Sequence, residues 1–259
     1  MAVPKLTVSG LNKSFASLLA LSDINLAIAD GEFISIVGPS GCGKTTFLRI
    51  VAGLESASAG EVRIDGDVVK KPGTDRGFVF QNDNLLPWRT VFANALIGPE
   101  VAGTGGAEAR RRTLDLLKLV GLGGFEQYFP RQLSGGMRQR VNLARALAID
   151  PKVLLMDEPF AALDAQTREI MQTELTRIWE QGRKTVLFVT HQIDEAVFLS
   201  DRVFVFARRP GRIRETVTID LPRPRGLAIK RTPDFVRYVD HIWRMIEEDV
   251  RESVLVDKE

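Results

Sequence analysis

Apolar and polar positions alternate along "LTVSGLNKSF" (residues 6–15) and "INLAIADGEF" (residues 24–33), the period of strands with one covered face. Asp30-Gly31 and Asp65-Gly66 are dipeptides of the kind that close hairpins, so an antiparallel sheet is expected to open the chain. The texture then changes. "FISIVG", from Phe33 to Gly38, is a continuous apolar run, as in a strand buried on both faces. Similar runs recur at 153–157 ("VLLMD"), 185–190 ("TVLFVT") and 202–207 ("RVFVFA") with helical segments between them. That order predicts a parallel sheet with crossover helices.

Between Asn82 and Leu133 a glycine-rich loop around "GTGGAEARRR" and amphipathic stretches such as "TLDLLKLVGL" predict a helical insertion. After the proline-rich "LPRPRG", the residues Phe235, Val239, Ile242, Trp243, Ile246 and Val250 recur at helical spacing and predict a helix packed on the domain. No internal repeat is evident.

The 35 basic and 33 acidic side chains nearly cancel, which argues against a broad nucleic-acid-binding face. The N-terminus "MAVPKLTVSG" lacks the apolar core of a signal peptide, and no stretch approaches the roughly 18 apolar residues of a membrane span, so a soluble, cytoplasmic protein is expected. Cys42 is the single cysteine and His191 and His241 the only histidines, so neither an intrachain disulfide nor a structural transition-metal site is expected.

"GPSGCGKTT" matches G-x-x-x-x-G-K-[ST] and lies between a buried strand and a helical pattern, the context the motif requires. In such a loop Gly38, Pro39, Ser40, Gly41, Cys42 and Gly43 curl backbone amides around a phosphate. Lys44 reaches the terminal phosphates of ATP, and Thr45 and Thr46 open the helix, Thr45 with its hydroxyl on Mg²⁺. Cys42 reads as a small filler or, more sharply, as a thiol whose alkylation blocks nucleotide binding. "VLLMDEP" carries Asp157 to the carboxyl end of a strand, placed to hold Mg²⁺, with Glu158 next to it to polarise an attacking water. "LSGGMRQR" sets two glycines at a helix start, where a helix former would be cheaper by about 1 kcal/mol each. Ser134 reads as its N-cap, and the amides of Gly135 and Gly136 as a second anion-seeking helix end.

Together these segments resemble the ATP-binding subunit of an ABC transporter. "LSGGMRQR" matches that family's signature, Gln81 in "GFVFQND" its glutamine loop, Ala161–Asp164 in "AALD" the loop after the catalytic carboxylate, and His191 in "VTHQIDEA" the switch histidine. Phe15 lies where the family stacks an aromatic ring on adenine. The resemblance implies an α/β P-loop NTPase core with a mainly parallel central sheet. It assigns residues 1–81 to the antiparallel β subdomain and phosphate-loop part, 82–150 to an inserted helical subdomain with the signature, 151–221 to the rest of the core, and 222–259 to a C-terminal helical extension. It further implies a head-to-tail dimer with a second copy of the chain, in which one copy's signature closes over the γ-phosphate held by the other's cradle. Asp157 and Gln81 then complete the Mg²⁺ environment, Glu158 and His191 position water and sense the γ-phosphate, and Asp164 contacts the opposite chain.

"NLLPWRTVFANA", Met137 and "RRPGRI" resemble the importer branch that takes up nitrate, sulfonates and taurine. The implied partners are integral membrane permease subunits and, through them, a separate solute-binding protein, with the chain peripheral on the cytoplasmic face of the inner membrane. Trp88 reads equally as a half-buried tryptophan or as part of a permease contact. Arg208, Arg209, Arg212 and Arg214 read as a solvated charge cluster or as a contact with anionic lipid. The segment after Arg223 is too short for the β-rich regulatory domain of sugar-importer relatives. Two other readings share the chemistry: a soluble ABC-type ATPase acting on nucleic acid or ribosomes, and the ATPase subunit of an exporter.

Overall fold

The computed structural model describes residues 4–256, with side chains as far as Asp249. In chain order the elements are β1 (Leu6–Phe15), β2 (Leu18–Ile28), β3 (Phe33–Val37), α1 (Lys44–Ala52), β4 (Ala59–Ile64), β5 (Asp67–Val68) and β6 (Arg76–Val79). There follow α2 (Val91–Val101), α3 (Ala107–Leu119), α4 (Gly135–Ala148), β7 (Val153–Asp157), α5 (Ala165–Gly182), β8 (Thr185–Val189), α6 (Ile193–Leu199), β9 (Arg202–Phe206), β10 (Ile213–Thr218) and α7 (Pro233–Val256). They group into two compact units. One joins the residues up to Pro72 with those from Arg183 onward, and the other runs from Gly73 to Gly182.

In the first unit, β2, β1, β4 and β5 form an antiparallel sheet in that order. The alternation read from the sequence is its cause: Leu6, Val8 and Leu11 of β1 and Ile24 and Ile28 of β2 are buried, with exposed or half-buried residues between them. Asp65-Gly66 closes the β4–β5 hairpin as expected. Asp30-Gly31 does not close one. The strand after it is buried at all five positions, Ser35 included, and pairs in parallel with β8 and β9, so that turn passes from one sheet to another.

β3, β8 and β9 carry the parallel register, with β10 antiparallel at the edge beside β9. Helix α1 packs towards β8 and α6 against β3. Phe47 of α1 meets Phe206 of β9 with ring centroids 5.7 Å apart, and Phe33 meets Phe188 at 6.0 Å. Each such fully buried ring contributes roughly 1.5–3 kcal/mol by leaving water. Phe235, Ile242 and Ile246 bury one stripe of α7 on this unit, whereas Val236 and Trp243 stay exposed. Val250 belongs to the helix, its side chain outside the described residues.

"LPRPRG" is more than a connection. Arg225 is buried and donates to the carbonyls of Val197, Phe198 and Ser200 at the end of α6 and to those of Ile219 and Leu221. A guanidinium thereby satisfies carbonyls that a helix C-terminus leaves without partners.

In the second unit β6 and β7 pair in parallel, while α2, α3 and α4 pack on one another as the helical insertion. The stretch read as a glycine-rich loop is shorter than expected. Helix α3 begins at Ala107, because Ala, Glu and Arg are strong helix formers once Gly105 and Gly106 are passed. No helix among the described residues is long and apolar enough to cross a membrane.

Candidate functional site

The site residues named from the sequence divide between the two units. In the first, the phosphate loop leaves the carboxyl end of β3 and enters α1, while the loop carrying His191 leaves the carboxyl end of the neighbouring parallel strand β8. Ligands of open α/β sheets bind at such strand ends.

The phosphate loop is built on close backbone approaches. A Cβ at Gly38 would lie 2.6 Å from the carbonyl oxygen of Phe206, so only glycine fits there. Gly43 has φ 95°, a left-handed conformation, and α1 has no side-chain cap. Lys44 is 7% exposed, and its Nζ donates to the carbonyls of Gly38 (2.7 Å) and Pro39 (3.0 Å). A buried ammonium held by two carbonyls and, at 3.8 Å, by the Cys42 sulfur, beside a helix start with no acidic residue in its first turn, suits a polyanion. Cys42 is fully buried, and burial pushes its thiol pKa up against the opposing pull of Lys44. It is therefore a filler, poorly suited to alkylation.

Phe15, at the end of β1, is 43% exposed, with the ammonium of Lys13 4.6 Å from its ring centroid. Lys13 is itself held by Glu55 at 2.7 Å. An exposed ring at a strand end is free to stack on a base. His191 is exposed and follows the buried Thr190, whose hydroxyl bonds the carboxylate of Glu195 and accepts the amide of Gln192 at 3.0 Å. That hydroxyl fixes the backbone on which His191 stands. The sequence reading missed this pair, although Thr and Glu five residues apart across a helix start were visible.

In the second unit Asp157 ends the buried strand β7, and Glu158 follows in the left-handed region at φ 45°. For a non-glycine residue that conformation stores strain of order 1 kcal/mol, as functional residues often do. The Nε2 of Gln81 donates to Glu158 Oε2 at 3.2 Å, so two residues 77 apart in sequence are brought together.

Helix α4 organises the rest. Its N-cap Ser134 accepts the amide of Met137 at 3.3 Å. The two glycines after it differ: a Cβ at Gly136 would lie 2.8 Å from Thr167 Cγ2, whereas one at Gly135 would make only an ordinary contact, 3.8 Å from Arg138 Nη2. Gly136 therefore answers to packing, whereas packing does not require glycine at 135. Further along, Arg138 pairs with Asp83 at 2.8 Å, Asn142 donates to the carbonyl of Phe80, and Arg145 to those of Asp83 and Asn84. One helix thus carries the signature and pins both sides of Gln81. A cavity of about 330 Å³ is lined by Gln81, Asp83, Gly135, Arg138, Gln139 and Leu163, and the Nε2 of Gln139 is buried without a partner. Asp164 caps α5, accepting the amide of Thr167 at 2.9 Å and its hydroxyl at 2.7 Å, which holds its carboxyl below the usual carboxylate range.

Trp88 is 71% exposed, which removes the half-buried reading. Its loop is nevertheless fixed, because the buried side chain of Asn94 bonds the backbone of Leu86, Arg89 and Thr90.

The family model described as ABC transporter matches residues 21–161. The chain belongs to the ABC transporter family. Its cassette is the family's ATP-hydrolysing one, in line with the phosphate loop and the Gln81–Glu158 pair. An uncharacterized ABC transporter ATP-binding protein of Methanocaldococcus jannaschii is 52% identical over 254 residues, covering 96% of this chain and 94% of that protein. The nitrate import ATP-binding protein NrtD of Synechocystis sp. is 46% identical over 92% of this chain and 93% of its own length. Among solved structures, a dimeric ATP-binding cassette in a post-hydrolysis state with ADP and Pi superimposes with a TM-score of 0.73 at 35% identity, covering 84% of this ABC chain and all of that one.

Proposed function

We propose that this ABC ATPase drives import of nitrate, a sulfonate, taurine or a similar small solute through separate permease subunits. The observation that carries the reading is similarity over more than nine-tenths of the chain to relatives named for such import. NrtD is one, and the taurine import ATP-binding protein TauB of Yersinia pseudotuberculosis, 45% identical over 92% of this chain, is another.

Lys44 and the amides of the loop bind the phosphates of ATP, and Phe15 stacks on the base. Among the described residues there is no cluster of three or more His, Cys, Asp or Glu side chains, so a divalent ion draws its ligands from phosphate, hydroxyl and single carboxylates. Thr45, Asp157 and Gln81 are the residues that would hold Mg²⁺, which when bound neutralises charge developing on the phosphates. Glu158 orients the attacking water and accepts its proton, with Gln81 holding one carboxylate oxygen. Ser134, Gly135 and Gly136 cap the γ-phosphate held by a second copy, and His191 senses whether it is still attached. Trp88 and its rigid loop meet the permease at the cytoplasmic face of the membrane, and a solute-binding protein joins through that complex.

The test is purification of a tagged Glu158→Gln chain from its native membranes in detergent with Mg-ATP. Recovery of a multi-span membrane protein in equal amount supports the proposal. Recovery only of ribosomes or nucleic acid overturns it and leaves the ATPase intact.

A further inference from the structure

Arg209, Arg212 and Arg214 are exposed, as a solvated cluster requires, yet the turn between β9 and β10 is tied down. Gly211 bonds β2 on both of its backbone groups: its amide donates to Ala20 (2.9 Å) and its carbonyl accepts from Ser22 (2.9 Å). A Cβ there would lie 2.0 Å from the carbonyl oxygen of Cys42, so the turn lies directly on the phosphate loop and only glycine can pass. Arg209 reaches over the loop, its Nε donating to the carbonyl of Gly41 at 3.0 Å. Behind the turn, Asp249 of α7 accepts the amide of Arg208 (3.1 Å) and pairs with Arg214 (3.2 Å). The turn is thus tied at both ends and pressed on two consecutive residues of the cradle.

We propose that this turn is a strap for the phosphate loop and that Arg209 is a positioning residue for nucleotide binding. A trans peptide is planar, so a donor on the carbonyl of Gly41 also fixes where the amide of Cys42 points. Gly41 has φ 72° and, as glycine, would otherwise sample many conformations. Holding it beforehand removes part of the ordering cost of binding. Arg209 is exposed, so its charge is screened and the hydrogen bond is its main contribution. The strap shapes ground state and transition state alike, which places its effect in KM rather than kcat. The inference rests on Gly38–Thr46 being the ATP cradle.

The experiment measures Mg-ATP binding calorimetrically and steady-state hydrolysis for the full-length chain and for Arg209→Ala, Arg209→Lys, Gly211→Ala and Lys44→Ala. Arg209→Ala is expected to raise Kd and KM together by about threefold to tenfold, the net worth of one such hydrogen bond, with kcat within about twofold. Arg209→Lys restores most of the loss, and Gly211→Ala weakens binding in the same direction. Wild-type Kd in Arg209→Ala, or a fall in kcat at constant KM, while Lys44→Ala has lost affinity, overturns the strap and spares the cradle. Wild-type Kd in Lys44→Ala removes the cradle, and the strap with it.

Discussion

The ammonium of Lys44 donates to the carbonyl of Gly38 at 2.7 Å, six residues back along the chain, so the phosphate loop closes on its own lysine. A phosphate entering the loop exchanges those neutral acceptors for a charged one, adding ion-pair attraction to bonds the ammonium already strengthens. Lys44→Ala should lower ATP affinity by at least about tenfold in a calorimetric titration. Unchanged affinity would remove Lys44 from the site.

Glu158→Gln keeps the side chain's shape and loses the carboxylate that accepts from Gln81. Turnover should fall by at least about 100-fold, as for loss of a general base, with ATP affinity kept and the protein accumulating as a dimer on ATP addition. A hydrolysis rate equal to wild type in a phosphate-release assay would refute the role.

Trp88→Ala changes a ring that is largely in solvent, on a loop that Asn94 holds without it. Stability should stay within about 0.5 kcal/mol, while co-purification of the membrane subunit drops. Full recovery of the membrane subunit would take Trp88 out of that interface.

Asp164 titrates below the usual carboxylate range because the amide and then the hydroxyl of Thr167 favour its charged form. Its contribution to stability is therefore complete above the ordinary aspartate pKa of about 3.9 and is lost as pH falls through the lower folded-state value. Asp164→Asn should flatten the acid limb of a stability-against-pH curve and leave its slope near neutrality alone. NMR titration of the Asp164 carboxyl should give a midpoint below that ordinary value.

Arg225→Ala deprives the end of α6, together with Ile219 and Leu221, of a shared donor in a buried setting. The loss should be about 2–4 kcal/mol, a Tm lowered by about 4–16 °C for a chain of this length. A melt within a degree of wild type would contradict the capping role.

The sequence by itself determined the strands, the phosphate loop and the residue types of the site. Period-2 alternation in β1 and β2 and fully buried, mainly apolar runs in β3 and β7 follow from which faces water can reach. Lys44, Asp157 and Glu158 stand where strand ends must place them. Asp30-Gly31 shows the limit, because a turn dipeptide fixes the backbone's reversal and not the sheet the chain enters next.

Only the tertiary structure decided that Gly136 faces Thr167, that Trp88 is exposed, that Arg225 caps α6 and that Arg209 lies on Gly41. An arginine in a turn has the same local pattern whether it faces water or a carbonyl 168 residues away. Local pattern records solvent and period. The partner of a polar group is set by long-range packing, which carries no period along the chain.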